Sequence, residues 1–195
     1  MVKVGFIVEG DTEKLIIEST RFRKKLQEIN LEVCDPIINA SGNGNLLPRY
    51  LENYVRLLNE GPSPDIIIVL TDLEDAPSVQ SVKDRIRTAQ ITDDLIIVSV
   101  KAIESWFLGD SNSLSQLLGI PYVELYPEQT IGMPWDRIRE LTTEITGRGV
   151  GRIKTMFAQK YIDRHGFCVF SSADHMNCRS ARDFKDKLLA LGADI

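Results

Sequence analysis

Short apolar runs alternate with segments of helical spacing through the first half of the chain. Residues 3–8 form an apolar run that stops at Glu9-Gly10, which predicts a short strand. Asp11 or Thr12 then caps a predicted helix, with Glu13 in its first turn, where a carboxylate suits the helix dipole. Leu15, Phe22, Leu26 and Ile29 recur along one side of that helix to about Asn30. A second strand is predicted over residues 31–38. Ser41-Gly42-Asn43-Gly44-Asn45 reads as a turn and lacks the glycine spacing that cradles phosphates. Pro48 suits the first turn of the next helix. Leu47, Leu51, Tyr54 or Val55, and Leu58 mark its buried face, and Gly61-Pro62-Ser63-Pro64 ends it. Residues 66–70 are five consecutive apolar positions, the pattern of a strand buried on both faces. Ser78 opens a helix with Val79, Val82, Ile86 and Ala89 inward, and residues 95–100 form a fourth strand.

This alternation predicts an α/β layer structure with a mostly parallel four-stranded sheet over residues 1–110. From Ala102 the pattern changes, and residues 111–195 are predicted as a mainly helical extension packed on that core. Helices are expected around residues 114–118, stopped by Gly119, and from Pro134 through Ile138, Leu141 and Ile145 to Gly147. Two more follow Ile153, Met156, Phe157 and Tyr161 to Gly166, and Phe184, Leu188 and Leu191. In the last, Ser180 and Asp183 resemble a capping box and Gly192 a C-terminal cap.

A hydrophobic content of 43% over 195 residues is enough for an ample core. The net charge of −5 argues against a general nucleic-acid coat, while leaving room for local basic patches. No apolar stretch is long enough to span a bilayer, and the N-terminus lacks the pattern of a signal peptide. A cytoplasmic protein without a membrane partner is therefore expected. Cys34, Cys168 and Cys178 make no disulfide framework.

The candidate chemistry lies at the strand ends. Ligands of open α/β sheets bind beyond the carboxyl ends of the strands. Glu9 follows the first predicted strand, Asp72 and Glu74 the third, and Glu104 the fourth. Gathered there, the carboxylates would repel one another without a cation. Magnesium prefers carboxylate oxygen and can activate water for phosphate-ester chemistry. Each acid taken alone is equally a helix cap or a solvent-facing residue. Asp75, for one, is either a ligand or simply the residue two before Pro77, and Glu13 reads as a first-turn helix acid.

Glu9-Gly10 after the first strand, with Asp72-Leu73-Glu74 after the third, resembles the Toprim superfamily. That superfamily includes topoisomerases, bacterial primases, recombination mediators and the overcoming-lysogenization-defect (OLD) nucleases. More narrowly, residues 8–13 and 102–106 resemble small stand-alone bacterial Toprim-like proteins. The resemblance covers residues 2–110 and implies a Rossmann-like Toprim core. It implies that Glu9 acts as acid/base or metal holder, that Asp72 and Glu74 are magnesium ligands, and that Glu104 is the further acid of nuclease-type members. Manganese could substitute for magnesium. Glu74 departs from the family pattern, where aspartate is usual. By analogy, the resemblance also implies an ATPase partner and a phage-defence or DNA-repair setting.

Weaker signals surround this core. Arg21, Arg23 and Lys24, and then Arg148, Arg152 and Lys154, are candidate contacts to a nucleic-acid backbone or else solvated surface. Lys101 and Lys154 could neutralise transition-state charge. Trp106 reads as core. His165 with Cys168, and His175 with Cys178, repeat H-x-x-C and could close a zinc site. Their order matches no common finger, and Cys168 sits in an apolar segment. Two functions compete: a magnesium-dependent phosphodiesterase, specifically a nuclease, or a non-catalytic binding or regulatory module. Glu74 and the acidic net charge favour the second.

Overall fold

The computed structural model describes residues 1–193. Its five strands are β1 (Val2–Val8), β2 (Leu31–Val33), β3 (Ile38–Asn39), β4 (Ile66–Asp72) and β5 (Ile96–Ser99). All pair in parallel in the order β2-β1-β4-β5, and β3 also pairs with β1. The predicted second strand is thus two short pieces on one edge of β1. Between them, Pro36 has no N–H to give to a ladder.

Among the described residues, ten α-helices connect and follow the strands. They are α1 (Asp11–Glu18), α2 (Thr20–Glu28), α3 (Pro48–Glu60), α4 (Val79–Ile86) and α5 (Glu104–Gly109), then α6 (Ser111–Leu118), α7 (Pro134–Thr146), α8 (Lys154–His165), α9 (Val169–Ala173) and α10 (Arg179–Ala193). The single helix expected to Asn30 is two. Ser19 takes an extended backbone and its hydroxyl caps the Phe22 amide, which starts α2 afresh. Gly10, not Asp11 or Thr12, occupies the cap position of α1. Helix α4 ends at Ile86, so Ala89 lies outside it and exposed, and Ile91 is buried instead.

The apolar positions of β1, β4 and β5 divide by the two-residue period of a strand. Val4, Phe6, Val8, Ile68, Leu70 and Ile97 face one core. Ile7, Ile67, Val69, Ile96 and Val98 face the other, which α3 and α4 cover through Leu51, Val55, Leu58, Val82 and Ile86. The first core also holds α1, α2 and the C-terminal helices. Phe184 of α10 stacks on Trp106 at 5.5 Å and meets Phe6 edge-on at 6.5 Å.

Two terminal expectations for α10 fail. Its N-terminus is capped not by Ser180 with Asp183 but by Glu128, which accepts the amides of Arg179 and Ser180 at 3.0 and 2.7 Å. Gly192 lies inside the helix, where a Cβ would overlap the Ile29 carbonyl oxygen. Its missing side chain permits a close approach rather than a helix stop. The left-handed stops expected at Gly147 and Gly166 are present. No helix among the described residues is long and apolar enough to cross a membrane.

Candidate functional site

The chain leaves β1 toward β2 on one side and returns across to β4 on the other. The switch point is therefore between the carboxyl ends of β1 and β4, the crevice where open α/β sheets bind ligands. Glu9 and Asp72 stand on its two sides. They are joined: Glu9 Oε2 accepts the Thr71 hydroxyl at 2.5 Å and the Asp72 amide at 3.1 Å. Asp72 pairs in register with Ser99 of β5, and the Ser99 hydroxyl donates to its carboxylate.

Two further carboxylates close on this pair. Glu13 lies one turn into α1, and helical side chains lean toward the N-terminus, so it points back at the strand end. It is only 4% exposed. Gly10 makes room for it, because a Cβ there would stand 3.2 Å from Glu13 Oε2. Glu104, 3% exposed, opens α5 just beyond β5. Lys154 Nζ approaches Glu104 Oε1 at 3.4 Å, while Glu104 Oε2 is buried with no hydrogen-bond partner. A lysine in the first turn of α8 opposes that helix's dipole, and here it faces the Glu104 carboxylate.

These charges act on one another. Burial pushes the Glu13 carboxyl up to about 7; nearby backbone amides partly offset this, and the charges of Glu9 and Glu104 add to it. Asp72 is held well above the usual carboxylate range by burial and the Glu13 charge, with the Ser99 hydroxyl opposing and Glu104 and Glu9 adding. Glu13, read from sequence as a helix acid, thus sits in the cluster. The missed signal was its spacing, one helical turn after a strand-end glutamate and glycine.

Glu74 is placed differently. It is exposed, in a left-handed backbone conformation at φ 47°, and its carboxylate accepts the Asn43 side-chain amide at 2.5 Å. The glycine-containing turn, expected to be plain, packs here: the Gly42 amide donates to the Glu9 carbonyl at 2.8 Å. Asp75 is exposed. Lys101 spends its ammonium on the carbonyls of Thr130 and Gly132 rather than in the cluster. Trp106 is fully buried, with its indole N–H on Ser180 Oγ at 2.8 Å.

The basic candidates divide. Arg23 is held by Asp35 at 2.6 and 2.9 Å. Arg21 packs over Gly166, and Lys24 is exposed. Arg148 and Arg152 are exposed in the loop that leads into Lys154.

Among the described residues, no three His, Cys, Asp or Glu side chains form a group that could hold a metal as they stand. The His165, Cys168, His175 and Cys178 set is included in that statement. Burial raises the Cys178 thiol, and His175 Nδ1 accepts the Asn177 amide. At the strand ends the donor chemistry fits magnesium even so. That ion takes one or two carboxylates and keeps its waters, and Glu104 Oε2 is an uncommitted buried donor.

No family model and no curated protein matches the chain. Among solved structures, the C-terminal region of the Burkholderia pseudomallei OLD protein covers 96% of this chain and 99% of its own, at 17% identity and TM-score 0.46. The same region of the Xanthomonas campestris pv. campestris OLD protein covers 98% of this chain and 95% of its own, at 18% identity and TM-score 0.39. The chain is similar in fold to these OLD C-terminal regions.

Proposed function

We propose that the chain is a magnesium-dependent phosphodiesterase, a nuclease acting on nucleic acid. The observation that carries this reading is the set of four carboxylates, Glu9, Glu13, Asp72 and Glu104, at the switch point, opposed by one lysine. A fold gains nothing in stability from burying mutually repelling carboxylates, and such perturbed groups cluster at functional sites. Glu9 and Asp72 would hold magnesium, or manganese in its place, with Glu104 as a further donor. Bound there, the ion would supply Lewis-acid polarisation of a phosphoryl oxygen and a more acidic water. Thr71 and Ser99 orient the two holding carboxylates. Glu13, with its proton poised near neutrality, can accept or return one, the condition for general acid/base work. Lys154 offers a cation to developing phosphate charge. By analogy with the Toprim relatives that the sequence resembles, an ATPase partner and a phage-defence or DNA-repair setting continue this proposal.

A second reading is favoured by one observation. Glu74 turns to Asn43 and away from the cluster, so a binding or regulatory module that has lost one acid is a coherent alternative. Calorimetry with magnesium and with manganese, on wild type and Asp72→Ala, separates the two when paired with cleavage assays on DNA and RNA. Binding and cleavage that both vanish in the variant support the nuclease. Nucleic-acid binding that needs no metal and survives the substitution supports the module.

A further inference from the structure

Among the described residues, Lys154 is the one basic side chain within ion-pair distance of any of the four acids at the strand ends. Its ammonium stands 3.4 Å from Glu104 Oε1, and its side chain is 45% exposed where that of Glu104 is 3% exposed. The second oxygen of the same carboxylate, Glu104 Oε2, is buried without a partner. One ammonium at one edge of four carboxylates balances only part of their charge. A divalent cation, which prefers carboxylate oxygen, balances more of it. Two cations drawn to one carboxylate also repel each other, so each weakens the hold of Glu104 on the other.

The way each lysine near the strand ends is held decides which of them can give way. Lys101 is fixed: its ammonium donates to the carbonyls of both Thr130 and Gly132, and its own carbonyl accepts the Glu74 amide at 2.8 Å. Lys154 makes the Glu104 contact and, among the described residues, no side-chain hydrogen bond. It stands in the first turn of α8, where the helix dipole disfavours a cation, so the helix itself does not oppose its turning outward. The segment that leads to it is exposed at residues 147–149 and 151–153. Gly147 and Gly151 take left-handed backbone there, at φ 69° and 87°, and a Cβ at either would meet nothing within 4 Å. Little packing restrains such a segment.

We propose that Lys154 is a displaceable latch: its ammonium and a divalent cation compete for Glu104, so that metal binding releases the lysine. This rests on the reading of the strand ends as a metal site. It adds a residue outside the ligand set that governs metal affinity. The released ammonium is the one that the nuclease reading assigns to phosphate charge. Linkage makes the effect reciprocal: as far as metal weakens the ion pair, the ion pair weakens metal binding.

The test uses the full chain and the metal alone. Lys154→Met keeps the aliphatic stem and removes the charge. In calorimetry it should bind magnesium about tenfold more tightly than wild type, within the usual range for coupled sites. Lys154→Arg, which keeps the charge, should stay near wild type. Acetylation of lysine amines, read peptide by peptide by mass spectrometry, should speed up at Lys154 when magnesium is added to wild type and not when it is added to Asp72→Ala. Lys101 is the internal reference and should not respond. The labelling needs no substitution at position 154, so it decides the matter even if Lys154→Met fails to fold. Binding by Lys154→Met that equals or falls below wild type, or labelling at Lys154 that bound magnesium leaves unchanged, overturns the latch and leaves the metal site standing. Binding by Lys154→Met where wild type binds none supports the latch. Absence of magnesium binding in both proteins overturns the latch and the metal site together.

Discussion

Two sets of buried or half-buried carboxylates behave in opposite ways in this molecule. In the helical half, Asp110 accepts the Ser113 amide and hydroxyl at 3.1 and 2.8 Å and the Cys168 amide at 3.2 Å. Glu128 accepts the Arg179 and Ser180 amides and the Ser180 hydroxyl. Each ties the start of one helix to a distant segment, and each stands apart from other acids. At the strand ends, Glu13, Asp72 and Glu104 lie within one another's field, and Glu104 keeps a buried oxygen unpartnered. The comparison teaches that burial alone does not mark a site. A buried acid surrounded by donors is structural; a buried acid surrounded by acids awaits something positive.

Breaking the structural member has the largest expected effect. Glu128→Ala strands two backbone amides at the start of α10 and should cost about 4 kcal/mol, read by urea denaturation. A loss below about 1 kcal/mol would erase the distinction between the two sets.

The second effect is on pH dependence. The Glu13 carboxyl rises from 4.5 to about 7 on folding, so the folded chain holds its proton more tightly than the unfolded one. In metal-free buffer the stability from this group is complete below pH 4.5 and is lost as pH rises to and just past 7. The loss should amount to about 3 kcal/mol. Glu13→Gln should flatten that slope, measured by denaturation at pH 5 to 8.

Next, magnesium at a hundredfold excess over its dissociation constant should stabilise wild type by about 2.7 kcal/mol and leave Asp72→Ala unmoved. Equal Tm shifts in the two proteins would place the ion elsewhere. Smallest, Glu104→Gln should raise metal-free stability by about 1 kcal/mol, since it removes an incompletely compensated buried charge. Its former partner, Lys154, is 45% exposed and can turn to water.

The fold's outline was legible because strands and helices declare themselves by local period. The run at residues 66–70 predicted a strand buried on both faces, and Ile68 and Val69 do face opposite cores. The misread pieces are those that a single residue's backbone overrides. Ser19 breaks a continuous helical pattern by capping Phe22. Pro36 interrupts a strand. Ser180 looks like a cap in sequence, yet the cap comes from Glu128, fifty-two positions away.

The candidate site divides along the same line. Glu9 and Asp72 could be named from the chain because each ends an apolar run, and parallel strands put such ends on one edge. Lys154 could be named as a candidate but not told apart from Lys101, Glu13 read as an ordinary first-turn acid, and the turning of Glu74 toward Asn43 left no mark in the sequence. Their places depend on strand order, on the lean of α1 over the sheet, and on where α8 begins. Local sequence determined which segments are strands and that their ends are acidic. Only the tertiary structure decided which acids share one electric field, because that field falls off over a few ångströms and takes no account of sequence separation.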